Sequence, residues 1–370
     1  MNKCTKNGWI QITNRCNLNC KYCYMNANKD LSSMTFDQFK HVVDYFTEVG
    51  VEIVMLSGGE PCLHPDIIEM IQYISTKGLE IGLVTNGTII SKELVECILA
   101  NNVIVQISID AMDSDNYILS RGIDQLNQVV ENIKLLNSND ITVTMSITLN
   151  NATISEVKKT VDFALSNQIH TLHYGFLVPS DRCKENNMTM DQVFDALICL
   201  YEIQINKYLH IQIDFVENYV KAIVSKNKNP YYCNSMSCNN MEIQPNGDIY
   251  QCGALETIMH KATNPSINIF SVDKEQITSR IKSEWKTIGV FDISACKECN
   301  VKHICKGGCR AIAYQSFGDL YGKQPLCNEL QKFISKIMKD YESGKLSNYI
   351  KYLEIINSSL NSDSEYMKYF

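Results

Sequence analysis

The chain has 370 residues, of which 20% are charged, with a net charge of −7 and a sequence pI near 5.6. Its lysines are scattered, so it lacks the basic face expected of a nucleic-acid or acidic-membrane binder. No apolar signal core precedes Ile10, and apolar runs such as Ile53 to Leu56 are far too short to span a bilayer, so a cytoplasmic protein is expected. In a reducing compartment its 16 cysteines read as thiols for metals or catalysis rather than as a disulfide framework.

From Trp9 onward, short β-branched runs alternate with longer amphipathic ones, the pattern of repeated βα units around a parallel sheet. In chain order the predicted elements are strand Trp9 to Thr13, helix Thr35 to Glu48, strand Glu52 to Leu56, helix Pro65 to Thr76 and strand Glu80 to Thr85. There follow helix Lys92 to Ala100, strand Val103 to Ile109, helix Gln125 to Leu136, strand Thr142 to Thr148, helix Ile154 to Leu165 and strand Thr171 to Phe176. Thr35 and Ser91 stand at N-cap positions and Pro65 at a first helical position. A helix over Met190 to Lys207 precedes a change of character after Asn229, where strands shorten and cysteines crowd. Pro245, Asn246 and Gly247 signal a hairpin turn, and Glu329 to Tyr352 reads as a helical tail. The predicted division is 1–208, a connector at 209–228, a cysteine-rich domain at 229–330 and a tail at 331–370. Asn357 to Glu365 is expected to fray.

Parallel α/β layouts put ligand-binding loops at the C-terminal ends of strands. There, directly after the first strand, stand Cys16, Cys20 and Cys23 in a C-x3-C-x2-C spacing. Three thiolates on one loop suit a 4Fe-4S cube with its fourth iron open to a ligand. A structural zinc site is the alternative, but it normally takes four protein ligands and this loop offers no obvious fourth. After the second strand comes Ser57-Gly58-Gly59-Glu60-Pro61, whose glycines admit a ligand close to the backbone beside a carboxylate.

The pairing of these two motifs resembles the radical S-adenosylmethionine (SAM) superfamily. The resemblance implies a partial (β/α)6 barrel whose open iron chelates SAM, with the Gly58 to Pro61 turn at the methionyl ammonium. It places Tyr22 and Leu177 against the adenine, Asn86, Ser108 or Asp110 at the ribose, and Arg121 at the SAM carboxylate. A low-potential donor such as flavodoxin or ferredoxin would reduce the cluster. SAM then yields a 5′-deoxyadenosyl radical that takes hydrogen from an unactivated carbon.

The C-terminal region holds Cys233, Cys238 and Cys252, then Cys296-x2-Cys299-x5-Cys305-x3-Cys309, and Cys327. Eight thiolates are enough for two cubes, and two-cluster ferredoxins show how the last cysteine of a compact run can cross to the other cluster. Paired zinc knuckles are the alternative. The array resembles the SPASM extension of peptide- and protein-modifying radical SAM enzymes. That resemblance assigns Cys233, Cys238, Cys252 and Cys309 to one auxiliary cluster. It assigns Cys296, Cys299, Cys305 and Cys327 to a second, for three clusters in all.

Of the remaining cysteines, Cys97 and Cys199 lie on apolar helix faces as small core residues, Cys62 reads as an apolar filler, and Cys4 is near the N-terminus. Cys183 follows the sixth strand on the face where substrate would enter, a position from which a thiol can donate a hydrogen atom, as in peptide epimerases of the superfamily. The anaerobic sulfatase-maturating type carries a catalytic aspartate after the cysteine matching Cys252, and here that residue is Gly253. The expectation is therefore maturation of a ribosomally made peptide by cross-link, thioether or epimerisation. Sulfatase maturation and dehydrogenation of a small molecule are the alternatives. Only fifteen residues precede Cys16, so either a separate peptide-recognition protein as a partner or a leaderless contact with the peptide is expected.

Overall fold

The computed structural model describes residues 6–183, 188–226, 229–255 and 267–360. Cys4 and residues 361–365 of the expected frayed tail lie outside them. β1 (Asn7–Thr13), β2 (Ile53–Gly58), β3 (Glu80–Thr85), β4 (Ile104–Ser108), β5 (Val143–Leu149) and β6 (Thr171–Phe176) pair in chain order, every neighbour parallel. They alternate with α1 (Phe36–Val49), α2 (Ile67–Thr76), α3 (Lys92–Ala100), α4 (Ser114–Arg121), α5 (Leu126–Ser138) and α6 (Val157–Ser166). This is the α/β architecture read from the sequence.

Local chemistry fixes the helix starts. Thr35 and Gln38 form a reciprocal capping box on α1, and the Ser91 hydroxyl accepts the Leu94 N–H of α3. Pro65 is not a first helical residue. α2 begins two positions later, behind Asp66, because Pro61–Leu63 forms a 3₁₀ turn that sets the approach of the chain. α4, absent from the sequence reading, is short and buries only Tyr117, Ser120 and Arg121, which leaves little apolar periodicity to detect.

The helices bury one apolar face against the sheet, through residues such as Phe39, Phe46, Ile71, Ile133 and Val161. On the inner face of the strands, Trp9 and Val84 pack on Ile53, Met55 and Ile104 as a separate small cluster. Toward β4, β5 and β6 that inner face turns polar, and Ser108, Ser146 and His173 stand in register across it. Asp214 bonds the His173 imidazole, and burial of His173 is more than offset by that carboxylate, so its pKa is raised.

The stretch 209–228, expected as a connector, holds β7 (Gln212–Ile213) and α8 (Asp214–Ser225), following α7 (Met190–Lys207). β8 (Asn240–Ile243) and β9 (Asp248–Tyr250) form the expected hairpin, and β10 (Ile267–Asn268) pairs with β9. β8 also pairs in parallel with β1, so the ten strands make one sheet in the order β10-β9-β8-β1-β2-β3-β4-β5-β6-β7. The tail is two helices, Cys327–Glu342 and Ser347–Leu360, separated by a turn at Gly344. Among the described residues no helix is long and apolar enough to cross a membrane.

Candidate active site

Cys16, Cys20 and Cys23 sit on the loop that leaves β1, and the structure brings their thiols together. Burial pushes the Cys16 thiol up to about 11, with the charges of Cys20 and Cys23 adding to the effect. Cys20 is raised by burial too, against the pull of Arg121, whose Nη1 lies 3.9 Å from its Sγ. The loop is pinned by carboxamides. Asn28 takes the Cys16 N–H and donates to the Cys16 carbonyl, both at 2.9 Å, and Asn17 bridges Thr88 and Asn86 at 2.7 and 2.8 Å. Arg182, from the segment after β6, donates to Asn26 Oδ1 at 3.0 Å and to the Ala27 carbonyl.

The Gly58–Pro61 turn lies directly against this loop. The Gly59 N–H donates to the Thr13 carbonyl at 2.7 Å and the Glu60 N–H to the Arg15 carbonyl at 2.8 Å. Gly58 has φ +142, and a Cβ there would stand 2.3 Å from the Thr13 oxygen, so glycine is required both by backbone conformation and by space. Glu60 is fully buried and accepts hydrogen bonds from the Thr85 hydroxyl (2.6 Å) and the N–H groups of Asn86 (2.7 Å) and Cys62 (3.0 Å). Burial nevertheless raises its pKa, those bonds offsetting only part of the shift.

The residues expected around SAM gather at the same ends of the strands. Asp110 is fully buried and receives Tyr22 Oη, Ser120 Oγ (2.7 Å), the Thr148 N–H (2.9 Å) and Arg121 Nη2 (2.8 Å). The Arg121 guanidinium also lies 5.6 Å from the Tyr22 ring centre. Asn86 accepts from Thr88 and reaches to 4.0 Å of Cys16 Sγ. Asp110, Glu60 and Asn86 thus spend polar atoms on protein partners and fix the shape of the site. Ser108 is half-buried at the end of β4, and Leu177 is buried beyond β6.

The C-terminal thiols fall into two neighbourhoods. Cys252 is raised first by burial and then by the charges of Cys233 and Cys309, which brings these three thiols into one neighbourhood. Cys296, Cys305 and Cys327 are raised first by burial and then by neighbouring charges drawn from Cys296, Cys299 and Cys327, with Cys305 pushed up to about 12. Cys238 ends a 3₁₀ turn, 3.5 Å from the Gln251 amide.

Backbone N–H groups point at many of these sulfurs. Leu18 donates to Cys16 at 3.4 Å, Ser235 and Met236 to Cys233, Ala254 to Cys252, Gly307 to Cys305, and Ala311 and Ile312 to Cys309. Amides aimed at sulfur favour the thiolate, which is what an iron-sulfur cluster requires. Among the described residues, no three His, Cys, Asp or Glu side chains form a group able to hold one metal ion.

A cavity of about 350 Å³ opens between the cysteine loop, the segment after β6 and the β8–β9 turn. Its walls are rich in carboxamides: Gln11, Asn14, Asn26, Gln244, Asn246 and Gln315. Ser180 and Asp181 face it, while Cys183 is tied back to Ser180 by paired backbone bonds of 2.8 and 3.1 Å. Behind Gln11 lies Glu242, which accepts from the Gln11 amide and from the Gly253 N–H. Asn28, Arg182 and Glu242 escape sequence reading because their partners are distant in the chain. The positive-φ Asn26 and Asn28 sit in a loop whose composition alone hints at Asx-type turns.

The profile of the radical SAM superfamily matches residues 10–164. An AdoMet-dependent heme synthase of Methanosarcina barkeri is 25% identical over 337 residues, covering 86% of this chain and 94% of that protein. Among solved structures, anSMEcpe with bound AdoMet superposes with a TM-score of 0.76 at 17% identity, covering 94% of this chain and 99% of that one. Streptococcus suis SuiB bound to its precursor peptide SuiA gives 0.70 at 17% identity, covering 87% and 76%.

Proposed function

We propose, from the premise that this chain is a radical SAM enzyme, the superfamily profile matching its residues 10–164, that it modifies a peptide, as in maturation of a ribosomally made peptide by cross-link, thioether or epimerisation. Cys16, Cys20 and Cys23 would hold the SAM-cleaving cluster. Cys233, Cys238, Cys252 and Cys309, and separately Cys296, Cys299, Cys305 and Cys327, would hold two auxiliary clusters of a SPASM-type domain. The desolvated thiols and the amides aimed at them fit such groups. When bound, cluster and SAM together supply the 5′-deoxyadenosyl radical that takes a hydrogen atom from the substrate. The chain's own part is to fix the loop through Asn28 and Arg182, to hold Arg121 and Tyr22 on Asp110 beside the SAM site, and to line the substrate approach. Tyr22, Leu177, Asn86, Ser108, Gly58, Gly59 and Pro61 complete the surface offered to SAM.

The observation that carries the peptide reading is the carboxamide-lined cavity beside the cysteine loop. A carboxamide offers a donor and an acceptor, the complement of a peptide group. SuiB has been solved with a precursor peptide and anSMEcpe with a Cp18Cys peptide, and both share this fold. A second reading, action on a tetrapyrrole, is favoured by the near full-length match to heme synthases. The carboxylates of a haem call for cationic partners, however, and the cavity offers one lysine, Lys29, next to Asp30. Sulfatase maturation is disfavoured because position 253 is glycine and its side-chain space is taken by Glu242. A low-potential flavodoxin or ferredoxin would serve as electron donor.

The test is anaerobic turnover with SAM and dithionite in the presence of synthetic short peptides encoded beside the gene, or of an iron porphyrin. Peptide-stimulated release of 5′-deoxyadenosine with a mass change in that peptide is expected. Stimulation by the porphyrin alone would sink the peptide reading, and no release under any condition would sink the assignment of SAM chemistry.

A further inference from the structure

Arg310 follows Cys309 and opens the helix Arg310–Phe317, yet its side chain is 2% exposed. A buried guanidinium ordinarily lies against a carboxylate. Here its hydrogen bonds go to backbone carbonyls: Nε to Gly308 at 3.2 Å, Nη1 to Leu320 at 3.1 Å and Gly322 at 2.8 Å, and Nη2 to Gly307. Neutral carbonyls satisfy the N–H groups but leave the charge unbalanced.

The ionisable groups within reach are thiols first and Asp319 after them. Gly307, whose carbonyl receives Arg310, turns its own N–H to Cys305. The groups acting most strongly on the guanidinium are Cys309, Cys296 and Cys305, ahead of Asp319, and it acts in turn on Cys296, Cys309 and Cys327. Arg310 therefore stands between the two thiol neighbourhoods, held in place by four peptide groups.

We propose that Arg310 is the fixed counter-charge of the C-terminal thiol arrays, balancing the cluster held by Cys296, Cys299, Cys305 and Cys327 and raising its reduction potential. This rests on the cluster reading given above. A cation beside a four-thiolate cluster stabilises the state carrying one more electron, since attraction in a poorly polarisable interior grows with the cluster's negative charge. A cluster so biased is the better electron acceptor, the property needed if a substrate radical is to be oxidised inside the protein.

The experiment compares wild-type protein, Arg310→Gln and Arg310→Lys after anaerobic loading with iron and sulfide, by iron count and by redox titration followed by electron paramagnetic resonance, without SAM or substrate. Wild-type protein should hold about twelve iron atoms per chain. The Gln variant should show one auxiliary signal reduced at more negative potential, by at least tenfold in the reduction equilibrium, which is 59 mV for a one-electron couple. The Lys variant should lie near wild type. A Gln variant that refuses iron while the Lys variant loads fully also supports a requirement for charge. Full loading of the Gln variant at unchanged potentials overturns the proposal. So does equal failure of both variants with equal loss of apoprotein stability, which would make Arg310 a clamp on residues 307–322. Wild-type protein holding only about four iron atoms would remove the auxiliary clusters, so the iron count separates failure of that reading from failure of this one.

Discussion

The Glu242 carboxylate accepts the Gly253 N–H at 2.6 Å and lies where a side chain at 253 would begin: a Cβ there would stand 2.3 and 2.4 Å from its two oxygens. Gly253 and Glu242 are thus one unit, in which the absence of a side chain on the 3₁₀ turn after Cys252 admits a carboxylate from β8. Gly253→Ala should force Glu242 out of its bonds to Gln11 and the turn, at a cost of about 1–3 kcal/mol. Thermal unfolding of wild type and variant checks this, and an unchanged melting temperature would show that Glu242 has room to move.

Asp110 supplies the charge for the buried Arg121, with an N···O distance of 2.7 Å. Asp110→Asn leaves that guanidinium without its counter-charge, so a loss of about 3–5 kcal/mol is expected in urea unfolding. A loss below about 1 kcal/mol, the scale of an exposed pair, would mean that Arg121 escapes to solvent.

Asn28 holds the Cys16 peptide from both sides while adopting φ 68 itself. Asn28→Gly keeps that backbone conformation accessible and removes only the side-chain bonds, at about 0.5–1.5 kcal/mol each. The Cys16 amide should exchange faster with deuterium, and chelators should strip iron from the loop more quickly. Wild-type rates in both measurements would exclude a clamping role for Asn28.

Thiol ionisation sets a pH window for the metal-free protein. Cys16 has a folded-state pKa raised to about 11 by burial, above the ordinary 9.0. Below 9 both folded and unfolded chains keep this proton, and its contribution to stability is fully present. Between 9 and about 11 the unfolded chain ionises there and the folded one does not, so stability falls with rising pH. Thermal melts of apoprotein should decline over that interval, and Cys16→Ser should decline less steeply. Parallel slopes would place the titrating groups elsewhere.

The six parallel strands were legible because each is a short apolar run between amphipathic helices, and the cysteine loop was legible because its three cysteines lie within eight residues. Long-range partners were not. Nothing in the local pattern around Gln212 to Ser225 distinguishes a connector from β7 and α8, since α8 owes its place to packing against β6 and α7. The proline at 65 carried a true helix-start tendency that the preceding 3₁₀ turn overrode. Asp110 and Asn86 were recognisable by position after their strands, but not the protein partners that consume their polar atoms. Arg310 gave no signal at all, because an arginine in sequence looks like surface charge until its burial is seen.

The parallel pairing of β8 with β1 makes the C-terminal region something other than a removable cassette. β1 ends in the cysteine loop, and its free side is covered by β8 through the register Asn7↔Asn240 to Ile10↔Ile243. Excision of residues 229–330 would turn the strand that presents Cys16 into an open edge, with unpaired peptide groups ready to recruit another chain. Truncated protein is therefore expected to self-associate through β1. The same ladder ties the spacing between the N-terminal and C-terminal thiols to a continuous run of backbone hydrogen bonds, so any electron passing between them travels a path of fixed length.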